Sequence, residues 1–395
     1  MISPLKIAVV YPTSLPWMAE ILDGIRRYGR QFGGWQILTC PPSLAASGEP
    51  SRTLRSLVGW NGDAAIAAVR SVEERKVIRQ LGFPVVNISN WEADTHGLPR
   101  VSVDNVIAGR FAADHLMAQG LKHFGFVGWS HVHYSDQRRL GFSQRAQEAG
   151  FPCEVKLDVP GESGDRTLAG ELHHLGAWLK TLPIPCGIFA VHDYRAQMVM
   201  EACAAVGLRV PKDVAVIGMD NDAIICEHSV PTLTSVCRNS NQVGWEAAAL
   251  IHRLLQGEDA GATEILVPPE GITERQSTDR FHHDDEVIQL AIHFMLSNLR
   301  EPPKIETVAR HSGVSKRTLE MRFKACTGMS PHRFLIDARI EHAKKLIQRP
   351  AKPSLRTIAS ECGFSSYPTF IAAFQSVSGK SPGAYQNEVR NASGS

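Results

Sequence analysis

Two kinds of hydrophobic spacing divide this chain. Up to about Pro268, short apolar runs alternate with stretches of helical periodicity. The runs predict strands over 6–11, 35–39, 63–69, 84–89, 123–129, 152–158, 186–191, 213–218 and 233–236. Helices are predicted between them, as at 17–32, 105–119, 136–149, 194–206 and 240–256. Runs such as Ile7-Ala-Val-Val10 and Val214-Ala-Val-Ile217 have no polar position left for a solvent face, as expected of parallel strands covered on both sides. The alternation predicts a doubly wound α/β domain, and its size, roughly 270 residues, predicts two lobes with a cleft.

Toward the C-terminus the spacing is helical throughout, and one pattern occurs twice. Ala309, Gly313, Val314, Leu319 and Phe323 lead to Gly328, Ser330, Pro331 and Phe334; Ala359, Gly363, Phe364, Phe370 and Phe374 lead to Gly379, Ser381, Pro382 and Tyr385. From Gly328 and Gly379 onward the copies lie 51 residues apart. Each copy reads as a helix-turn-helix. The Ala lets a second helix cross closely, and the following Gly takes φ > 0 to end the first helix. A Ser (Ser315 in one copy, Ser365 or Ser366 in the other) caps the next helix, whose apolar residues at i, i+4 face inward. Residues Pro331 to Gln348 predict a long helix joining the two units.

Charge sharpens this division. Residues 301–395 hold 15 Lys+Arg against 7 Asp+Glu, a net of +8, so in a chain of net +2 the first 300 residues carry −6. A basic terminal module on an acidic body is the electrostatic footprint of a DNA-binding domain fused to something else. On the second helix of the first unit, Arg317 can bond bidentate to guanine and Glu320 can accept from cytosine, each worth roughly 1–3 kcal/mol of discrimination. Lys316, Arg322, Lys324 and Arg333 are candidates for phosphate contacts.

Other chemistry is sparse. With 43% hydrophobic and 21% charged residues and no apolar stretch approaching a membrane span, the chain reads as soluble. Lys6 is followed only by the short run Ile7 to Tyr11, too short for a signal peptide, so a cytoplasmic location with no membrane partner is expected. Eight cysteines without a C-x2-C pair predict free thiols and no zinc site. His131-x-His133 and His282-His283 lack a third ligand, so neither a metal nor a cofactor is expected. There is no G-x-S-x-G or G-x-C-x-G nucleophile turn; Cys186 begins a strand, and Cys226, beside His228, is placed in an irregular stretch. Catalysis is therefore not expected, the alternative being an amidase-like α/β domain.

Polar residues cluster at the predicted strand ends. Asn87 follows Val85-Val86, Arg138 opens the helix after the strand ending near Trp129, His192-Asp193 follows Ile188 to Val191, and Asp220-Asn221 follows Val214 to Met219. Carboxylates, amides and an Arg converging with Trp17, Trp91 and Trp129 suit a neutral polyol, whose hydroxyls want both donors and acceptors and whose apolar face wants an indole. Asp104-Asn105 is read instead as a helix cap.

The twin pattern resembles the AraC/XylS family of transcription regulators over about residues 284–388. That likeness implies that each second helix enters the DNA major groove, with Arg317, Glu320 and Met321 of one unit and Tyr367, Pro368, Thr369 and Ala372 of the other facing base edges. Where Ala372 and Gln375 stand, that family often has basic or amide residues, so the second unit is expected to read thymine methyls through Tyr367 and Thr369 or to position the protein on the backbone. Residues 5–277 resemble the sugar-sensing domain of the LacI/GalR repressors. The carriers are Val101-Ser-Val-Asp-Asn105, Gly120-x2-His-Phe-Gly-Phe-Val-Gly128, Arg138-x2-Gly-Phe142, Asp213 to Asp220 and Pro231-Thr-Leu-Thr-Ser-Val236. This likeness implies that Arg138 and Asp220 hold sugar hydroxyls, that Asn87 and His192 or Asp193 make weaker contacts, and that the Tyr11 to Trp17 turn lies at the cleft mouth. LacI-type repressors carry their DNA-binding module ahead of the first strand, but here the module follows the sensor, as in the xylose operon regulators. The resemblance implies D-xylose as effector, activation as outcome, a homodimer on two half-sites, and RNA polymerase as a partner. The expected organisation is a sensor over 1–277, a linker over 278–286 and a DNA-binding domain over 287–390. The alternative within this class is a repressor of another sugar's operon.

Overall fold

The structure, a computed structural model, describes residues 4–11, 16–39, 54–159, 167–279, 285–348 and 353–392. Two compact units, Met1–Arg280 and Phe281–Ser395, make up the chain. The first contains two six-stranded sheets. One is built from β1 (Lys6–Val10), β2 (Gln36–Thr39), β3 (Ala64–Ala67), β4 (Val85–Asn87), β5 (Arg100–Val103) and β11 (Glu264–Val267), in the order β11-β5-β4-β3-β1-β2, with every pair parallel. The other has β6 (Phe124–Trp129), β7 (Cys153–Asp158), β8 (Cys186–Ala190), β9 (Val214–Met219), β10 (Thr234–Cys237) and β12 (Gly271–Thr273), in the order β12-β10-β9-β8-β6-β7. Only β12 runs antiparallel, against β10. The chain crosses between lobes after β5, after β10 and after β11.

The continuously apolar runs are where the sheets are sealed on both faces. Ile7 to Val10 and all of Val214–Met219 are buried. Strands β5, β11 and β12 were not expected from the pattern. β5 carries Arg100 and Ser102 into the core, and Arg100, 1% exposed, is paid for by Nε donating to Glu264 Oε1 at 2.7 Å and by the carbonyls of Glu92 and Ala93. β11 and β12 find their partners only after the chain has returned across the molecule.

The helices are α1 (Pro16–Phe32), α2 (Val72–Ile78), α3 (Asn105–Ala118), α4 (His133–Glu148), α5 (Leu168–Leu179), α6 (Asp193–Ala205), α7 (Ala223–His228) and α8 (Ser240–Leu255). Cys226, expected in irregular chain, lies buried in α7, where a carboxylate-to-amide cap by Asp222 starts a short helix. α3 and α4 cross without side chains between them. A Cβ on Gly109 would lie 2.2 Å from the Arg138 carbonyl, and one on Gly141 would lie 2.0 Å from that of Val106. This contact sets Arg138 against the start of α3.

The second unit holds α9 (Glu286–Ser297), α10 (Ile305–His311), α11 (Lys316–Thr327), α12 (Pro331–Gln348), α13 (Leu355–Glu361), α14 (Tyr367–Ser378) and α15 (Pro382–Ala392). Leu319 and Phe323 of α11 join one core with α9 and α10, and Phe370 and Phe374 of α14 join a second core with α13. α12 contributes Phe334, Leu335 and Ala338 to the first and Ile340, Ala343, Leu346 and Ile347 to the second, which makes it the shared spine.

Candidate functional site

The carboxyl ends of both sheets open on a cavity of about 300 Å³, lined among others by Trp17, Arg70, Asn90, Trp91, Asn105, Tyr134, Arg138, His192, Asp193, Asp220 and Arg238. That volume is at the small end for ligand pockets. Each residue arrives from the loop just beyond a strand or from the first two turns of the helix that follows it, where a parallel sheet leaves its chain ends free.

Arg138 sits in the second turn of α4 and does not open that helix as the sequence reading has it, because α4 begins at His133. Its guanidinium is 2% exposed: Nε donates to Asn105 Oδ1 at 2.8 Å, another N–H donates to the Val191 carbonyl, and the Tyr134 ring lies 5.0 Å away. Burial lowers its pKa from the usual value to about 10, so it stays charged at neutral pH. Asp220 stands 3.9 Å from Arg138 and accepts from Arg238 at 3.0 Å, so one carboxylate is held between two guanidinium groups. Arg238 in turn stacks 4.0 Å from the Trp17 ring. Asp220 does not cap the helix after it; Asp222 does that.

Among the described residues, two groups in this wall lack partners. Asn90 uses its amide nitrogen on Ser102 and Gln137, at 3.2 and 3.0 Å, while its buried Oδ1 accepts from nothing. The buried Nε of Arg238 donates to nothing. Both residues line the cavity, and a buried unpaired polar group of this kind costs roughly 1–3 kcal/mol.

Asp193 and His192 support the wall from the start of α6. Asp193 accepts from Ser235 Oγ at 2.6 Å and from the Asp222 amide at 2.8 Å, which fixes the turn behind Asp220. Burial, with the Asp220 charge adding, pushes its pKa up to about 8. A side chain at residue 218 would come within 2.2 Å of that carboxyl, so Gly218 leaves the room for it. His192 caps α6 through Nδ1, which faces the Arg195 amide at 3.1 Å, and the Trp129 indole N–H points at its Nε2 from 3.1 Å. Burial lowers its pKa to about 4, so the ring is neutral and has one lone pair for two donors.

Several candidate residues have other work. Tyr11 is buried beside β1 and is not among the lining residues; residues 12–15 of the expected cleft-mouth turn lie outside the described residues. Asn87 braces the loop after β3, accepting from Val69 N at 3.0 Å and Ser89 N at 2.8 Å. Asn221 turns away from the cavity and accepts from Arg275 at 3.0 Å. Asp104 caps α3, as read from the sequence, but Asn105 beside it reaches the cavity through its bond to Arg138. Asn90, Tyr134 and Arg238 were missed. Asn90 and Arg238 each stand just beyond a strand, and that position was the available signal. Among the described residues no group of three or more His, Cys, Asp or Glu is placed to hold a metal ion, and no helix is long and apolar enough to cross a membrane. His282-His283 lie outside the described residues.

In the second unit, Ser315 caps α11 by accepting from Thr318 N at 3.2 Å, and Ser366 caps α14 by accepting from Thr369 N at 3.3 Å. With Leu319, Phe323, Phe370 and Phe374 inside, each helix presents an opposite face: Lys316, Arg317, Glu320, Met321 and Lys324 on one, Pro368, Thr369 and Ala372 on the other, with Tyr367 half-buried beside them. The cations are not equivalent. Arg322 is held bidentate by Asp285, at 2.8 and 2.7 Å, and Lys316 pairs with Glu306 at 2.7 Å. Arg333 bridges Asp337 at 2.9 Å and Ser376 at 3.4 Å. Among the described residues Arg317 and Lys324 have no ion-pair partner.

Comparison with known proteins matches residues 113–278 to a family described as periplasmic binding protein-like domain and residues 308–388 to one described as helix-turn-helix domain. The xylose operon regulatory protein of Haemophilus influenzae is 28% identical over 376 residues, covering 94% of this chain and 95% of its own. The xylose operon regulatory protein of Escherichia coli K12 is 29% identical over 334 residues, covering 83% of this chain and 84% of its own. The solved structure of a xylose-binding transcription activator, XylR, superposes with a TM-score of 0.62 at 26% identity, covering 98% of this chain and 99% of that one.

Proposed function

We propose that this chain, which joins a region matching a periplasmic binding protein-like domain to one matching a helix-turn-helix domain, is a regulator in whose cavity a pentose, D-xylose first among them, binds and alters how the protein meets promoter DNA. The observation that carries the ligand class is a carboxylate clamped by two arginines in a cavity wall shared with Asn90, Tyr134 and two indoles. One sugar hydroxyl donates to Asp220 and another accepts from Arg238 or Arg138, and the Trp17 and Trp91 indoles offer faces to the ring's C–H side. The small cavity favours a monosaccharide, and the names of the two regulatory proteins and of the activator favour xylose among them.

Binding shifts an equilibrium only by its differential affinity for two states, so the sugar must bond both lobes better in one of them. Arg138 and Asp220 come from one lobe and Asn90 and Trp17 from the other, which is the arrangement that closure would tighten. The output is a cytoplasmic homodimer on two half-sites that activates transcription with RNA polymerase, with Arg317 reading a base and Lys324 holding phosphate. Calorimetry tests the input: the parent binds D-xylose and Asp220→Ala does not, while affinity for promoter DNA at low salt stays nearly intact. An unchanged sugar affinity in that variant removes Asp220 from the site, and DNase protection of one half-site alone removes the dimer.

A further inference from the structure

The turn that presents Asp220 is tied to the stretch of chain that leaves the sensor unit. Asp220 and Asn221 both have positive φ, 113° and 53°, a backbone region that side chains other than glycine rarely occupy. Such a turn persists only if its surroundings hold it. One tie is Ser235, whose hydroxyl accepts from Asn221 N at 3.0 Å. Others are the Val236 carbonyl, which accepts from Asp220 N at 3.1 Å, and Asp193, which accepts from Asp222 N at 2.8 Å; Arg275 adds a side-chain tie, donating to Asn221 Oδ1 at 3.0 Å and to the Leu233 carbonyl at 2.9 Å.

Arg275 is the first residue of a buried seam. Ser277 and Thr278 are 0% and 1% exposed. Ser277 Oγ donates to the Val216 carbonyl at 2.6 Å and accepts from Thr234 N at 2.9 Å, and its own carbonyl accepts from Val216 N at 2.9 Å. Thr278 Oγ1 meets Thr234 Oγ1 and His115 Nε2, both at 2.8 Å. From Thr278 the seam is two residues from the end of this unit at Arg280. Every bond in the seam would hold without Asn221. The Arg275–Asn221 bond is thus unlike the rest: it joins the seam to the residue next to the cavity's carboxylate.

We propose that Arg275 is a positioning residue that passes the state of the Asp220 turn to the exit seam, so that sugar held by Asp220 is felt by the chain leading to the helix-turn-helix pair. The mechanism is local. Hydroxyl contacts on Asp220 bias the φ/ψ of residues 220 and 221, Asn221 moves with them, and the guanidinium carries that movement to the backbone at 275. The inference rests on the reading of the cavity as the sugar site, and the test separates the two.

The test uses the full chain and reads two quantities: the Kd for D-xylose by calorimetry, and the factor by which saturating D-xylose changes affinity for the promoter fragment next to the gene. In Arg275→Ala the sugar Kd stays within about fivefold of the parent, while the sugar-induced factor on DNA affinity falls by about fivefold or more. Asn221→Gly, which keeps the positive φ, removes the acceptor and leaves the seam intact, gives the same split. Asn221→Asp, which keeps an acceptor for Arg275 and tolerates positive φ, restores the parent's response. If the Arg275 variant fails to fold, the Asn221 pair decides alone. A parent in which D-xylose neither binds nor changes DNA affinity overturns the cavity reading and this inference together. A parent that responds, with Asn221→Gly responding equally, overturns this inference alone, as does loss of sugar binding in proportion to loss of response.

Discussion

The two recognition helices of the C-terminal unit share a scaffold and differ in their outer faces. α11 and α14 have the same length, the same Ser N-cap, and a C-terminal glycine at φ near +70°, Gly328 at 77° and Gly379 at 71°. Both bury two side chains four residues apart. Yet α11 shows Lys316, Arg317, Glu320, Arg322 and Lys324, whereas no residue of α14 is charged. Inward positions therefore fix the helix-turn-helix, and outward ones are free to specialise. On the function proposed above, the contrast places the charged base contacts in the first unit and leaves the second with uncharged ones.

The largest effect is on stability and should be shared: Phe323→Ala and Phe374→Ala each empty a fully buried position and cost about 3–5 kcal/mol. Urea unfolding that found one loss far smaller would show that the two cores are not equivalent. Next is Arg317→Ala, expected to lose roughly 1–3 kcal/mol of discrimination at one base position, while Thr369→Ala changes specificity less; a binding-site selection that ranked them in reverse would invert the assignment. Removing the caps, Ser315→Ala and Ser366→Ala, should destabilise each unit by about 1 kcal/mol, read as matched shifts in denaturation midpoint. Smallest is Lys324→Ala, which should weaken all sequences alike and lower the magnitude of the salt slope by about 0.9. A base-dependent loss there would make Lys324 a reader.

Legibility followed locality. Both helix-turn-helix units were readable because caps, glycines and the i, i+4 apolar pairs all lie within one short window, as from Ala309 to Gly328. In the sensor, strands sealed on both faces announced themselves, and Trp17, Trp91, Arg138, His192, Asp193 and Asp220 do line one cavity. What was illegible depends on partners far along the chain. β11 is known only through its pairing with β5, Arg100 is tolerable in a core strand only because Glu264 arrives beside it, and Asn105 reads as half of a helix cap until α4 brings Arg138 to it. Asn87 and Asn221 stand at strand ends as a ligand contact would, but their side chains are spent on neighbouring backbone and on Arg275. Position in a loop names the right neighbourhood; only the fold says which way each amide turns.

The clasp between Asp285 and Arg322 bears on how this protein would trade ions. Asp285 also caps α9, accepting from Val287 N at 3.0 Å and Ile288 N at 3.3 Å. A phosphate arriving at Arg322 would displace an internal carboxylate instead of a dissolved anion, and the freed Asp285 would keep its helix amides. The cationic face therefore comes partly pre-neutralised, and a tally of its lysines and arginines overstates what DNA has to gain from it.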